Sequence, residues 1–112
     1  MEISTNAMKR CELVTVSGDV DSATAPELEE VLQKLIASGQ KNLVINLKDV
    51  SFMSSAGLKA LIGAQMRVRR AIPSGDVVLA EVPTYLQETL ELVGFHHVFK
   101  FYDDDVEAVG SF

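Results

Sequence analysis

Between Leu28 and Ile36 the chain places Leu28, Val31, Leu32, Leu35 and Ile36 at the i, i+3, i+4, i+7, i+8 spacing. That is the apolar stripe of a one-sided amphipathic helix, and such a stripe must be buried against another element. The flanks offer one. Cys11–Val16 and the run "NLVINL" (Asn42–Leu47) are short, apolar and β-prone, and the second reads as a strand buried on both faces. The loop "GDVDSATAPEL" leads into the helix. Thr24 is the expected N-cap, with Glu27 completing a capping box, Pro26 in the first turn and Gly39 closing the far end. Strand, helix, strand is the repeating unit of an α/β sheet with parallel neighbours.

The same alternation continues along the chain. Ile3–Thr5 forms a weak first strand in a hairpin with Cys11–Val16, turning at Lys9 and Arg10. Lys48–Met53 bridges to a second helix over Ser55–Arg70, with Leu58, Leu61, Ile62 and Met66 toward the sheet and Pro73 stopping it. Asp76–Val82 reads as a further buried strand and Thr84–Val93 as a short helix ended by Gly94. Val98–Tyr102 is a last strand and Asp103–Val109 a terminal helix. The expectation is an α/β fold, a mixed sheet of about five strands packed with about four helices.

With 112 residues, 47% of them apolar, the chain fits one domain over residues 1–112 and can bury a core without disulfides or metals. The lone Cys11 has no internal partner and is expected to pack in the core. No run approaches the roughly 20 apolar residues of a membrane span, and "MEISTNAMKR" lacks the basic-then-apolar order of a secretory leader. A cytoplasmic protein is expected. The net charge of −6 argues against nucleic acid, which is held by clustered Lys and Arg.

The sequence offers little catalytic chemistry. It contains neither a GxxxxGK[ST] phosphate loop nor a GxGxxG turn, and "SSAGL" lacks the first glycine of a nucleophile elbow. His96 and His97 are adjacent in a strand-like segment and so point apart, unlike a zinc pair at helical spacing. Asp103–Asp105 is a helix start. No local feature supports assembling Ser55, a histidine and Asp21 into a triad. The expectations are therefore no enzyme activity, no metal, no cofactor and no tight small-molecule ligand.

Two serines stand where strand gives way to helix, in "VSFMSSAGLKAL". One reading makes Ser54 or Ser55 an N-cap. The other makes one hydroxyl a modification site, with the small Ala56 and Gly57 leaving it open to another protein. The outward stripe Ala56, Lys59, Ala60, Gly63, Arg67 and Arg70 is small at its start and basic at its end, which suits a docking face.

These residues resemble the STAS domain family, within it the stand-alone bacterial anti-sigma factor antagonists. The resemblance runs through "VSGDVDSATAPELEEVL", "NLVINLKDVSFMSSAGLKAL", "VVLAEVP" and "LVGFHHVFKFYDDDVEAV". The middle block is the most specific: Asp49, Val50, Phe52, Met53, Ser54, Ser55, Ala56, Gly57 and Leu58 hold the places of the family's aspartate and "V-x-F/Y-M-D-S-S/A-G-L" signature. The resemblance implies that Ser55 is phosphorylated by a partner that is both anti-sigma factor and ATP-dependent serine kinase, and restored by a phosphoserine phosphatase. It implies a binding surface of Asp21, Ser22, Ser54, Ser55, Ala56, Gly57, Lys59, Ala60, Gly63 and Arg67. Ser54 stands where phosphorylated members usually carry aspartate, which makes it the second candidate acceptor. The rival implication is an accessory subunit of a lipid-transport or stress-sensing complex, with no phosphate cycle.

Overall fold

A computed structural model describes residues 1–112. Five strands form one sheet in sequence order, β1 (Glu2–Ala7), β2 (Glu12–Val20), β3 (Asn42–Met53), β4 (Asp76–Ala80) and β5 (Phe101–Tyr102). The first pair is an antiparallel hairpin, and the remaining neighbours run parallel. Four α-helices complete the fold: α1 (Ala25–Ala37), α2 (Ser55–Arg70), α3 (Thr84–Leu92) and α4 (Asp105–Gly110).

Alternation along the strands sorts side chains to the two faces. Val14, Val16, Leu43, Ile45, Leu47, Val77 and Leu79 meet Leu28 and Leu32 of α1, Leu61, Ala64 and Val68 of α2, and Leu86 and Leu90 of α3 in the main core. Cys11, Val44, Val78 and Ala80 point the other way and are covered by α4 through Ala108. Cys11 is buried, and burial, followed by the neighbouring Glu12 charge, pushes its thiol above the usual range. Glu12 is buried too, and its Oε2 has no hydrogen-bond partner.

Several boundaries move from expectation. "GDV" continues β2, and Lys48–Met53 continues β3, because the two stretches pair with each other as far as Val20 opposite Met53. Register shifts between Thr15 and Ser17 and between Gly18 and Asp19 each fit an extra β3 residue, and Gly18 takes φ +86° there. β4 ends at Ala80, where Glu81 has φ 51°. The last strand shrinks to Phe101–Tyr102, while Phe95–His97 coil into a 3₁₀ turn with the two imidazoles 3.9 Å apart, so the histidines do not point apart as in a strand.

Helix starts also differ. Thr24 is already helical in its backbone and its side chain caps nothing in α1; the Thr24–Glu27 box does not form. The capping box lies three residues earlier. Asp21 Oδ1 accepts from the Thr24 amide at 2.9 Å, and Thr24 Oγ1 accepts from the Asp21 amide at 2.9 Å. At the other end Gly39 closes α1 as expected: Gly39 N–H reaches Ile36 and Gln40 N–H reaches Leu35, each at 3.0 Å, with Gly39 at φ +107°.

The α2 boundaries match expectation, but its inward face is rotated. Gly57, Ala60, Leu61, Ala64, Gln65 and Val68 are buried, whereas Leu58 and Ile62 are half-buried and Met66 is 48% exposed. The reason is α1, which lies against α2 on the same sheet face. A helix squeezed between a sheet and a neighbour turns its small side to the tight contact. Gln65 is buried because it is fully used: Oε1 accepts from Val77 N–H at 2.7 Å, while Nε2 donates to Asp76 Oδ1 and the carbonyls of Val77 and Val98.

Candidate functional site

β2 and β3 end side by side, so the turns that follow them emerge together at one end of the sheet. The amide of Ser54 donates to the carbonyl of Val20 at 2.7 Å, joining the turn after β2 to the start of α2. This contact brings the Asp21–Ser22 turn close to the two serines.

The two serines stand in different environments. Ser54 is the N-cap, in extended backbone (ψ 170°), and its Oγ accepts from Gly57 N–H at 3.3 Å. Ser55 is the first residue of the helix and is exposed, with no hydrogen bond to its side chain. The first turn of α2 carries no acidic residue, and the amides of Ser55 and Ala56 stand ahead of any intrahelical acceptor. A hydroxyl in that position faces solvent on one side and the positive end of the helix on the other.

Only part of the expected docking surface is exposed. Ser22, Ser55, Lys59 and Arg67 are exposed, and Asp21, Ser54, Ala56 and Gly63 are half-buried. Ala60 and Gly57 are not on it. Ala60 is 3% exposed and faces α2's packing partners. Gly57 is buried because a Cβ there would lie 2.8 Å from Val20 Cγ1 and also collide with Met53 Sδ. Its smallness lets the helix sit tightly on β2 and β3; it does not clear a path to the serine. Arg67 lies twelve residues beyond Ser55, about 18 Å along the helix, and is clipped to α1 through the carbonyl and side chain of Gln33. The basic end of α2 is thus remote from the serine.

Asp21 is bound into its own turn. Its Oδ1 accepts from the amides of Thr24 and Ala23, both at 2.9 Å, and the Thr24 amide foremost holds its carboxyl below the usual aspartate range.

Two aromatic residues belong to the same end of the sheet. Phe52, 50% exposed, stands opposite Asp19 in the β2–β3 register. Tyr85, 45% exposed, donates its hydroxyl to the Val50 carbonyl; partial burial, then the Asp19 charge, raises its pKa. Phe52 was visible as part of the signature. Nothing local in the sequence marked Tyr85, which arrives from α3 through the fold.

Elsewhere, no group of three or more His, Cys, Asp or Glu side chains is disposed to hold a metal, and no helix is long and apolar enough to cross a membrane. The fold is thus a single α/β module with a five-stranded sheet, an exposed serine at the start of α2 and two part-exposed aromatic residues at the same end. A model of the STAS domain matches residues 2–108, and the chain belongs to that family.

The relatives agree. A putative anti-sigma factor antagonist, BtrV of Bordetella bronchiseptica, is 26% identical over the whole chain and 95% of its own length. The anti-sigma-B factor antagonist of Staphylococcus aureus is 38% identical over 63 residues, which span 56% of this chain and 58% of that protein. Among solved structures, an anti-sigma factor antagonist from Mycobacterium paratuberculosis superposes with a TM-score of 0.87 at 25% identity, covering 98% of this chain and 92% of the other.

Proposed function

We propose that this chain is a non-enzymatic anti-sigma factor antagonist that works in the cytoplasm by partner switching. Unphosphorylated, it binds an anti-sigma factor through the face around Ser55, so that the sigma factor is released and transcription proceeds. The anti-sigma factor, acting as a serine kinase, phosphorylates Ser55 and ends the complex; a phosphoserine phosphatase restores it.

The observation that carries this reading is the division of labour between the serines. Ser54 is engaged as a cap, and Ser55 is the exposed hydroxyl at the first helical position. A phosphate on Ser55 would bring about −1.5 to −2 charges to the helix start. There the free amides and the helix dipole accommodate an anion, so the fold tolerates the modification. An interface does not. One pair of like charges about 4 Å apart at an effective dielectric of about 20 costs about 4 kcal/mol, nearly three decades of affinity.

The test is mass spectrometry after treatment with the anti-sigma factor kinase of the source cell, together with binding of Ser55 variants. Phosphate is expected on Ser55 alone. Ser55→Ala should stay unmodified and keep binding; Ser55→Asp should weaken binding, though less than phosphate does. Phosphate on Ser54 would overturn the assignment. Phosphate on neither serine would favour the accessory-subunit role instead.

A further inference from the structure

Asp21 carries a charge beside the serine, and the obvious use of a charge at an interface is to meet an opposite one. Its hydrogen bonds indicate another use. Thr24 Oγ1 accepts from the amide of Asp21 at 2.9 Å and lies 2.9 Å from the carbonyl of Asp19, to which it donates. One hydroxyl therefore holds the residue before Val20 and the residue after it. The Asp21 carboxylate closes the other half of the box on the amides of Ala23 and Thr24, and the Asp21 carbonyl takes the Ala25 amide at 2.8 Å.

Val20, bracketed in this way, is the surface against which the start of α2 is set. Its carbonyl receives Ser54 N–H at 2.7 Å, and its Cγ1 is one of the two groups that leave no room for a side chain at Gly57. Val20 is 0% exposed, so neither contact is shared with water. The amide before Ser55 and the glycine two residues after it are both registered on one residue.

We infer that Asp21 and Thr24 are positioning residues: their reciprocal clip fixes Val20, and Val20 sets the position at which Ser55 is presented to the partner. What Asp21 supplies is the acceptor geometry of Oδ1, and its negative charge is dispensable for recognition. This inference rests on the partner-switching reading for its functional half only; its structural half concerns the isolated chain.

The two halves are tested separately. In the isolated protein, hydrogen exchange of the Ser54 amide is followed by NMR, with the Ile45 amide in central β3 as the control for global opening. Asp21→Ala and Thr24→Val should speed Ser54 exchange about tenfold relative to the control, while Asp21→Asn and Thr24→Ser, which keep the acceptor and the hydroxyl, stay within about threefold of wild type. In the second arm, the kinase that modifies Ser55 is titrated with the same variants. Asp21→Asn should bind and be phosphorylated within about threefold of wild type, and Asp21→Ala should lose about tenfold or more in both.

Equal losses for Asp21→Asn and Asp21→Ala would overturn the inference, since they would show that the charge itself meets the partner. Unchanged Ser54 exchange in Asp21→Ala would overturn it equally, whatever the partner does. If Ser55 proves not to be the modified residue, the partner-switching reading fails, and the exchange arm still decides whether the clip positions α2.

Discussion

The same substitution at two glycines of α2 should move stability in opposite directions. In a helix, Gly→Ala ordinarily gains about 1 kcal/mol, because alanine restricts the unfolded backbone and buries no polar group. Gly63 meets that condition: a Cβ there has nothing within 4 Å, so Gly63→Ala should stabilise by about 0.5–1 kcal/mol. At Gly57 the Cβ would come within 2.8 Å of Val20 Cγ1 and closer still to Met53 Sδ. The Met53 thioether is flexible enough to swing aside at small cost. Val20 is not: it is β-branched, fully buried, and its backbone is tied to Ser54. Overpacking of this kind costs about 1–3 kcal/mol, which exceeds the propensity gain. Gly57→Ala should therefore lose about 1 kcal/mol net, leaving the two variants about 2 kcal/mol apart. Urea unfolding at constant m-value measures both. A Gly57→Ala protein more stable than wild type would refute the claim that α2 is seated through glycine contact with Val20.

Glu12 should be replaceable at a profit in stability. Its buried Oε2 has no hydrogen-bond partner, so Glu12→Met removes a desolvated acceptor and should stabilise by about 1 kcal/mol in the same urea assay; a loss would mean that the carboxylate is satisfied in solution. Acid titration should expose the Asp21 clip. Its folded pKa lies below the usual value, so the clip contributes fully above the unfolded pKa and its contribution is lost as pH falls through the folded one. The stability difference between wild type and Asp21→Asn should accordingly shrink below about pH 4; a difference constant with pH would show that the charged form gains nothing from the turn.

Much of the architecture was legible because it rests on local periodicity. The α1 stripe, the Gly39 stop, the limits of α2 and the alternation of strand and helix all follow from side-chain spacing and from backbone preferences acting within a few residues. The candidate site was legible for the same reason: a hydroxyl pair ahead of Ala-Gly and a helical run needs no distant partner to be noticed, and the resemblance to the family pointed to Ser55 as the proposed acceptor.

Tertiary structure decided the rest, where the deciding partner is remote in sequence. The strand ends extend beyond local expectation because "GDV" and Lys48–Met53 are held as strands by pairing with each other, an interaction that neither segment encodes alone. Apolar size along α2 places Ala60 outward, but α1 packs against the small side of the helix and buries it. At Gly57 the small residue answers to the close approach of Val20 and Met53 rather than to access to the serine. Thr24 gives α1 no side-chain cap, because its hydroxyl is drawn back to the end of β2, and the reciprocal box forms in the preceding turn between Asp21 and Thr24. Periodicity reports which residues share a face. Only packing fixes how deeply that face is buried and which neighbour it meets.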